Sequence, residues 1–291
     1  MEQQKNIHWF PGHMKKALNE ISEKIKLIDL VIEILDARAP FSTHNKYLDS
    51  LTQNKSKLVI FNKIDIANEQ KLNEYIKNSE IIGEQNYILS SIKDASFYSK
   101  LLAKLNYFYN LINEKNVKKG LKPQPIKILV CGIPNVGKSS LINFLSKKSS
   151  AGVENKPGFT KGQKWIRVSE KYYFLDTPGI LPSNYEDKNY ARNVALLGSI
   201  KQDILPNSEL CEYALNYIKE NLYLEFKNYY KLDCDISGET DNNILIELIC
   251  KKRGFLQQNS QFDIERCELT ILNDFKNGLI GKIFLDAWIR K

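Results

Sequence analysis

Long apolar runs are missing from this sequence, and no stretch approaches the roughly 20 residues that a membrane-spanning helix requires. The opening residues 1–6 have neither the apolar core of a signal peptide nor the arginines of an organellar transit peptide. Cytoplasmic residence, with no membrane span, is therefore the expectation. The five cysteines, at 131, 211, 234, 250 and 267, include no C-x-x-C pair, so the pattern favours neither a zinc site nor a disulfide framework. Internal repeats and low-complexity tails are absent as well.

What is present is an ordinary globular composition, 43% hydrophobic and 26% charged, over 291 residues. That length suits two domains, or one large domain with an appendage. A net charge of +8 points to a polyanionic partner. The charge is unevenly spread: residues 190–291 carry 13 Lys+Arg against 15 Asp+Glu, and the preceding 189 carry 29 against 19. The basic surface thus belongs mainly to the N-terminal part.

Within that part, Gly132-Ile133-Pro134-Asn135-Val136-Gly137-Lys138-Ser139 matches G-x-x-x-x-G-K-[ST]. An apolar strand pattern, Ile126–Cys131, precedes it, and a helical apolar spacing follows from Ser140 to Leu145. Strand, glycine-framed loop and helix together make a phosphate-binding loop. The backbone N–H groups of Asn135, Val136, Gly137, Lys138, Ser139 and Ser140 can wrap phosphates, aided by the helix dipole. Lys138 would reach the β- and γ-phosphates, and Ser139 would place its hydroxyl on Mg²⁺.

The surrounding pattern alternates. Strands are expected at Leu30–Leu35, Leu58–Phe61, Tyr87–Leu89 and Ile126–Cys131, with a hairpin over Lys164–Val168 and Lys171–Leu175. Helices are expected near Met14–Leu27, Lys46–Leu51, Glu69–Asn78 and Phe97–Glu114, and Lys115–Pro123 reads as a basic connector. This predicts an α/β domain over residues 1–185, with a largely parallel sheet and ligands along one edge. From Tyr190 the pattern turns helical, with expected helices Leu196–Ile204, Glu209–Lys219, Leu222–Tyr230, Asn243–Lys251 and Phe262–Lys276. Residues 186–291 are accordingly read as a second, α-helical domain, whose near-neutral charge points to a shaped RNA or protein surface rather than a plain polycation.

The strand ends carry chemistry. Asn62-Lys63-Ile64-Asp65 matches N-K-x-D, where a carboxylate accepts hydrogen bonds from the N1–H and 2-amino group of guanine; adenine presents the opposite pattern. Ser90, Ser91 and Ile92 close the next strand, and Ser91-Ile92-Lys93 matches the S-A-K element whose backbone contacts guanine O6. Asp176-Thr177-Pro178-Gly179 matches D-x-x-G, with Asp176 holding Mg²⁺ through a water and the Gly179 amide on the γ-phosphate. Asp235-Ile236-Ser237-Gly238 has the same pattern but closes no strand. Thr160 is the candidate that closes over Mg²⁺ and the γ-phosphate. The expected ligand is GTP or GDP. An ATP-dependent P-loop enzyme is the poorer reading because of Asn62 and Asp65.

These are the five elements of a small GTPase in an unusual order, base-reading elements first. With Trp9-Phe10-Pro11-Gly12-His13-Met14 and Asp36-Ala37-Arg38-x-Pro40, the chain resembles the circularly permuted GTPases of the ribosome biogenesis GTPase A (YlqF) family over nearly its whole length. The resemblance implies a P-loop GTPase fold and binding to the large ribosomal subunit precursor, with its rRNA and ribosomal proteins, in late maturation. No DNA partner is implied. It further implies that Asn135 marks a K⁺ that replaces an arginine finger's charge. The residue after D-x-x-G, a water-positioning glutamine in Ras-like proteins, is Ile180 here. The resemblance assigns that water-positioning role to His13 instead. The alternative is an RNA-associated guanine-nucleotide switch with negligible turnover.

Overall fold

The computed structural model describes residues 12–78, 86–148, 165–182, 185, 187–200, 205–233, 240–258 and 260–286. The chain divides into two compact units, one of residues 1–65 and 69–186, the other of 66–68 and 187–291.

The first unit is built on six strands, β1 (Leu30–Asp36), β2 (Ser56–Asn62), β3 (Tyr87–Leu89), β4 (Ile126–Cys131), β5 (Trp165–Arg167) and β6 (Tyr172–Asp176). Their order across the sheet is β3-β2-β1-β4-β6-β5, all parallel except β5. Every residue of β1 is buried, as a central parallel strand covered on both faces demands. The chain's first strand therefore lies beside β4, and the register sets Glu33 opposite Cys131 and Asp36 opposite Asn62. The ends of β1, β2, β4 and β6 consequently meet on one edge of the sheet.

Helices α1 (Gly12–Lys24), α2 (Pro40–Thr43), α3 (Lys46–Thr52), α4 (Glu69–Lys77), α5 (Phe97–Lys118) and α6 (Lys138–Lys148) complete this unit. Leu18 and Ile21 of α1 share one apolar cluster with Val31, Leu129, Leu175 and Ile180. Helix α5 continues a full turn beyond Glu114, into the stretch read as a connector. The buried Asn113 fixes the return of the chain there, accepting from the Gln124 amide at 2.7 Å and donating to the Gln124 carbonyl at 3.0 Å.

The second unit contains α7 (Lys188–Leu196), α8 (Asn207–Asn221), α9 (Tyr223–Tyr230), α10 (Asn242–Arg253) and α11 (Ile264–Lys276). The expected helix Leu196–Ile204 is displaced: α7 ends where that helix was to begin. The Asp187 side chain caps α7 by accepting from the Asn189 amide at 2.7 Å. Gly198, at φ 74°, closes it with bonds to Ala195 and, through Ser199, to Val194. Residues 201–204 lie outside the described part. Residues 66–68 join this unit through a parallel bridge between Ala67 and Ile283. The Asn68 amide donates to the Ile283 carbonyl at 2.9 Å, and Gly278, at φ 69°, leaves no room for a side chain beside Ile66.

Candidate nucleotide-binding site

The loop after β4 takes a conformation that its residue types permit. Gly132 and Gly137 have φ of 145° and 118°, and Asn135, an amino acid that tolerates the left-handed region, has φ of 61°. A side chain on Gly132 would strike the Ile34 carbonyl of β1, and one on Gly137 would strike the Asn62 amide. The loop is thus pressed against β1 and against the end of β2. From Lys138 the chain runs into α6 with Ser139 and Ser140 exposed at its first turn, the arrangement that presents N–H groups to an anion.

Asn62 ties three loops together. Its Nδ2 donates to the Val136 carbonyl at 2.7 Å, and its Oδ1 accepts from the Ile92 amide at 3.0 Å. The phosphate loop, N-K-x-D and S-I-K are therefore in direct contact through one buried side chain. Lys63 follows in the left-handed region, φ 67°, and Asp65 lies exposed in the 3-10 turn Ile64–Ile66. Ser90 and Ser91 are buried, and the Asp94 carboxylate accepts from the Ser91 amide at 3.1 Å. Asp94 was not singled out from the sequence; its signal is a short acidic residue three positions beyond the serine, the spacing of a turn cap.

Lys138 is buried and donates from Nζ to the Ile133 carbonyl at 2.7 Å. Burial draws its pKa down to about 8. Asp176, at the end of β6, is half-buried, and burial raises its carboxyl above the ordinary range against the opposing pull of Lys138. Thr177 anchors the D-x-x-G turn by donating to the Val130 carbonyl at 2.7 Å. Gly179 packs so closely on Pro134 that a Cβ would come within 2.6 Å of the Pro134 nitrogen. The Ile180 amide donates to the Gly132 carbonyl at 3.2 Å, and Asn45 donates to the Ile180 carbonyl at 3.1 Å. D-x-x-G and the phosphate loop thus interlock.

The oxygen-bearing side chains of Ser139 and Asp176, an all-oxygen set beside a phosphate loop, suit Mg²⁺. Thr160 lies outside the described residues. His13 falls in the first turn of α1, rather than in a segment preceding a helix, and its side chain lies outside the description. Ile180 is 1% exposed and its side chain belongs to the core cluster.

A second charged cluster lies in the same unit. His44 contacts Glu33 through Nδ1 at 2.8 Å and Asp49 through Nε2 at 2.7 Å, and Lys57 sits 2.6 Å from Glu33 and 2.7 Å from Asp49. Burial alone would lower the His44 pKa, but the two carboxylates outweigh it and raise it to about 9. Two cations therefore face two carboxylates. Glu33, His44 and Asp49 could together reach a metal ion, yet the Lys57 ammonium already stands between both carboxylates, and the cluster reads as a neutral structural network.

Comparison with known proteins agrees with this geometry. Residues 127–232 match the family described as 50S ribosome-binding GTPase. A Bacillus cereus protein named ribosome biogenesis GTPase A is 36% identical over 288 residues, spanning 97% of this chain and 94% of its own. A Mycoplasma genitalium protein named probable ribosome biogenesis GTPase A is 33% identical, spanning 95% of each chain. The fold is similar to the GNP-bound crystal structure of YlqF from Thermotoga maritima, with a TM-score of 0.62 and 24% identity over 93% of this chain and 97% of that one.

Proposed function

The chain belongs to the ribosome biogenesis GTPase A family, a family of GTPases, and from that premise we propose that it hydrolyses GTP while assisting late maturation of the large ribosomal subunit. The observation that carries the nucleotide part is Asn62, whose side chain binds the phosphate loop and both base-reading loops at once. A site built this way holds phosphates and a guanine ring at a fixed separation. The ribosomal part rests on the names of the relatives, among them a mouse mitochondrial ribosome-associated GTPase that is 29% identical over 96% of this chain.

In this reading Asp65 accepts from guanine N1–H and the 2-amino group, while the Ser90–Ile92 backbone faces O6. Lys138 leaves the Ile133 carbonyl for the β- and γ-phosphates, and the Gly179 amide donates to the γ-phosphate. Ser139, Thr160 and Asp176 would hold Mg²⁺, which when bound neutralises charge on the phosphates. Asn135 would hold K⁺. His13 orients the water whose oxygen bonds to the γ-phosphorus as the bond to the β,γ-bridging oxygen breaks, giving GDP and phosphate. Ile180 takes no part, since its side chain packs in the core.

Two covalent routes link this chemistry to the helical unit. The D-x-x-G turn leads within a few residues to α7, and Asp65 is followed directly by residues 66–68, which belong to that unit. We propose that GTP and GDP forms differ in affinity for the precursor particle, met through rRNA and ribosomal proteins in the cytoplasm. Co-sedimentation with large-subunit precursors, loaded with GDP or a non-hydrolysable GTP analogue, tests this. Equal affinity of the two forms would overturn the switch. Absence of particle-stimulated turnover would favour a nucleotide-sensing RNA binder instead.

A further inference from the structure

The Asp36-Ala37-Arg38-x-Pro40 stretch has no part in the chemistry above, yet it holds the most deeply buried ion pair described in the first unit. Asp36 and Arg38 are each 1% exposed. The guanidinium grips the carboxylate twice, Nε to Oδ1 at 2.8 Å and Nη2 to Oδ2 at 2.7 Å, and the Arg38 amide donates to Oδ1 at 3.1 Å. Such a bidentate pair has little freedom to turn. Its second carboxylate oxygen also lies 2.9 Å from Nζ of Lys63, the lysine of N-K-x-D. The Ala37 amide meanwhile donates to the Asn62 carbonyl at 2.9 Å, so the turn after β1 is fastened to the end of β2.

Lys63 is where the base-reading loop changes direction. A lysine in the left-handed region is strained and persists only where its surroundings enforce it. Asn62 is already engaged with Val136 and Ile92, so its side chain fixes the loop's root and not its onward path. The ammonium of Lys63, drawn to a carboxylate that Arg38 immobilises, supplies the missing restraint. One residue later comes Ile64 and then Asp65.

We infer that Asp36 and Arg38 are positioning residues for guanine selectivity: they hold Lys63 in its left-handed turn and thereby aim the Asp65 carboxylate, without touching the nucleotide. The inference rests on the guanine-reading role of Asp65. An ordinary buried ion pair would stabilise the fold and affect all nucleotides alike. A positioning pair affects the edge of the base that Asp65 reads.

Titration calorimetry with GDP and with inosine diphosphate, which lacks the 2-amino group, separates these roles. Asp36→Asn should weaken GDP binding about tenfold or more and shrink the GDP-to-inosine-diphosphate affinity ratio several-fold, about 1 kcal/mol of lost discrimination. Arg38→Lys, which keeps the charge and loses the fork, should shift the ratio the same way by less. If Asp36→Asn does not fold, the paired Asp36→Asn/Arg38→Gln variant leaves no lone buried charge and still deprives Lys63 of its partner; the ratio should shrink there too. An unchanged ratio in a folded variant, or equal losses for both nucleotides, overturns the inference. A wild-type protein that binds both nucleotides equally would instead sink the role of Asp65, and this inference with it.

Discussion

Asn62 and Val136, 74 positions apart in the chain, are joined by a 2.7 Å hydrogen bond from the asparagine amide to the valine carbonyl. Replacing Asn62 with alanine strands the Val136 carbonyl and the Ile92 amide, each at roughly 1–3 kcal/mol when buried. GTP and GDP affinity should fall together by about ten- to a hundredfold in calorimetric titration. Gly137→Ala should act the same way, since its φ of 118° and the adjacent Asn62 amide both exclude a side chain. Unaltered affinity in both variants would mean that the loops keep their register without this contact.

Lys138 trades stability for binding. Its pKa of about 8 in the folded chain lies below the 10.5 of an unperturbed lysine. The unfolded chain therefore binds more protons between those values, and the stability of the nucleotide-free protein should rise as pH climbs through that window. Below it the buried charge is a cost, so Lys138→Met should raise the unfolding midpoint at pH 7 while abolishing triphosphate binding. A midpoint lowered by this substitution would contradict that assignment.

The Glu33–His44–Asp49–Lys57 network predicts the opposite slope. The folded pKa of His44, about 9, exceeds its ordinary 6.5, so its contribution is complete below pH 6.5 and disappears as pH rises through about 9. Denaturant unfolding of His44→Ala should show a loss of about 3–5 kcal/mol at neutral pH, because Glu33 and Asp49 then face Lys57 alone. The same variant should lose the decline in stability between pH 6.5 and 9. A wild-type-like slope in the variant would place the titrating group elsewhere.

Ile180 and His13 should respond in contrasting ways. Ile180→Gln buries an amide among Leu18, Ile21 and Leu175, so it should cost about 2–4 kcal/mol of stability without raising the hydrolysis rate. His13→Ala should lower single-turnover hydrolysis by about a hundredfold or more, with nucleotide affinity nearly intact. Faster hydrolysis in Ile180→Gln would show that the side chain can reach the nucleotide after all.

Much of the fold is legible in the residues. The all-buried pattern of β1, the glycine-framed loop before α6 and the helical spacing after Tyr190 each depend on local chemistry. Helix ends were less legible. The displacement of α7 arose because Asp187 and Gly198, rather than the apolar spacing, set its limits. Likewise α5 outran its apolar pattern: Lys118 pairs with Glu114 at 2.6 Å across its last turn, and Gly120, at φ 70°, follows its end.

By itself the sequence determined the chemistry of each loop: residue type and spacing dictate which groups can meet phosphates, Mg²⁺ or a guanine edge. Tertiary structure alone decided how the loops hold one another. The register of β1 against β2 brings Asp36 beside Lys63, packing removes Ile180 into the core, and parallel pairing delivers Asn62 to Val136. Those relationships join residues tens of positions apart, and no local pattern encodes them, because strand order and register are fixed by burying both faces of the sheet at once.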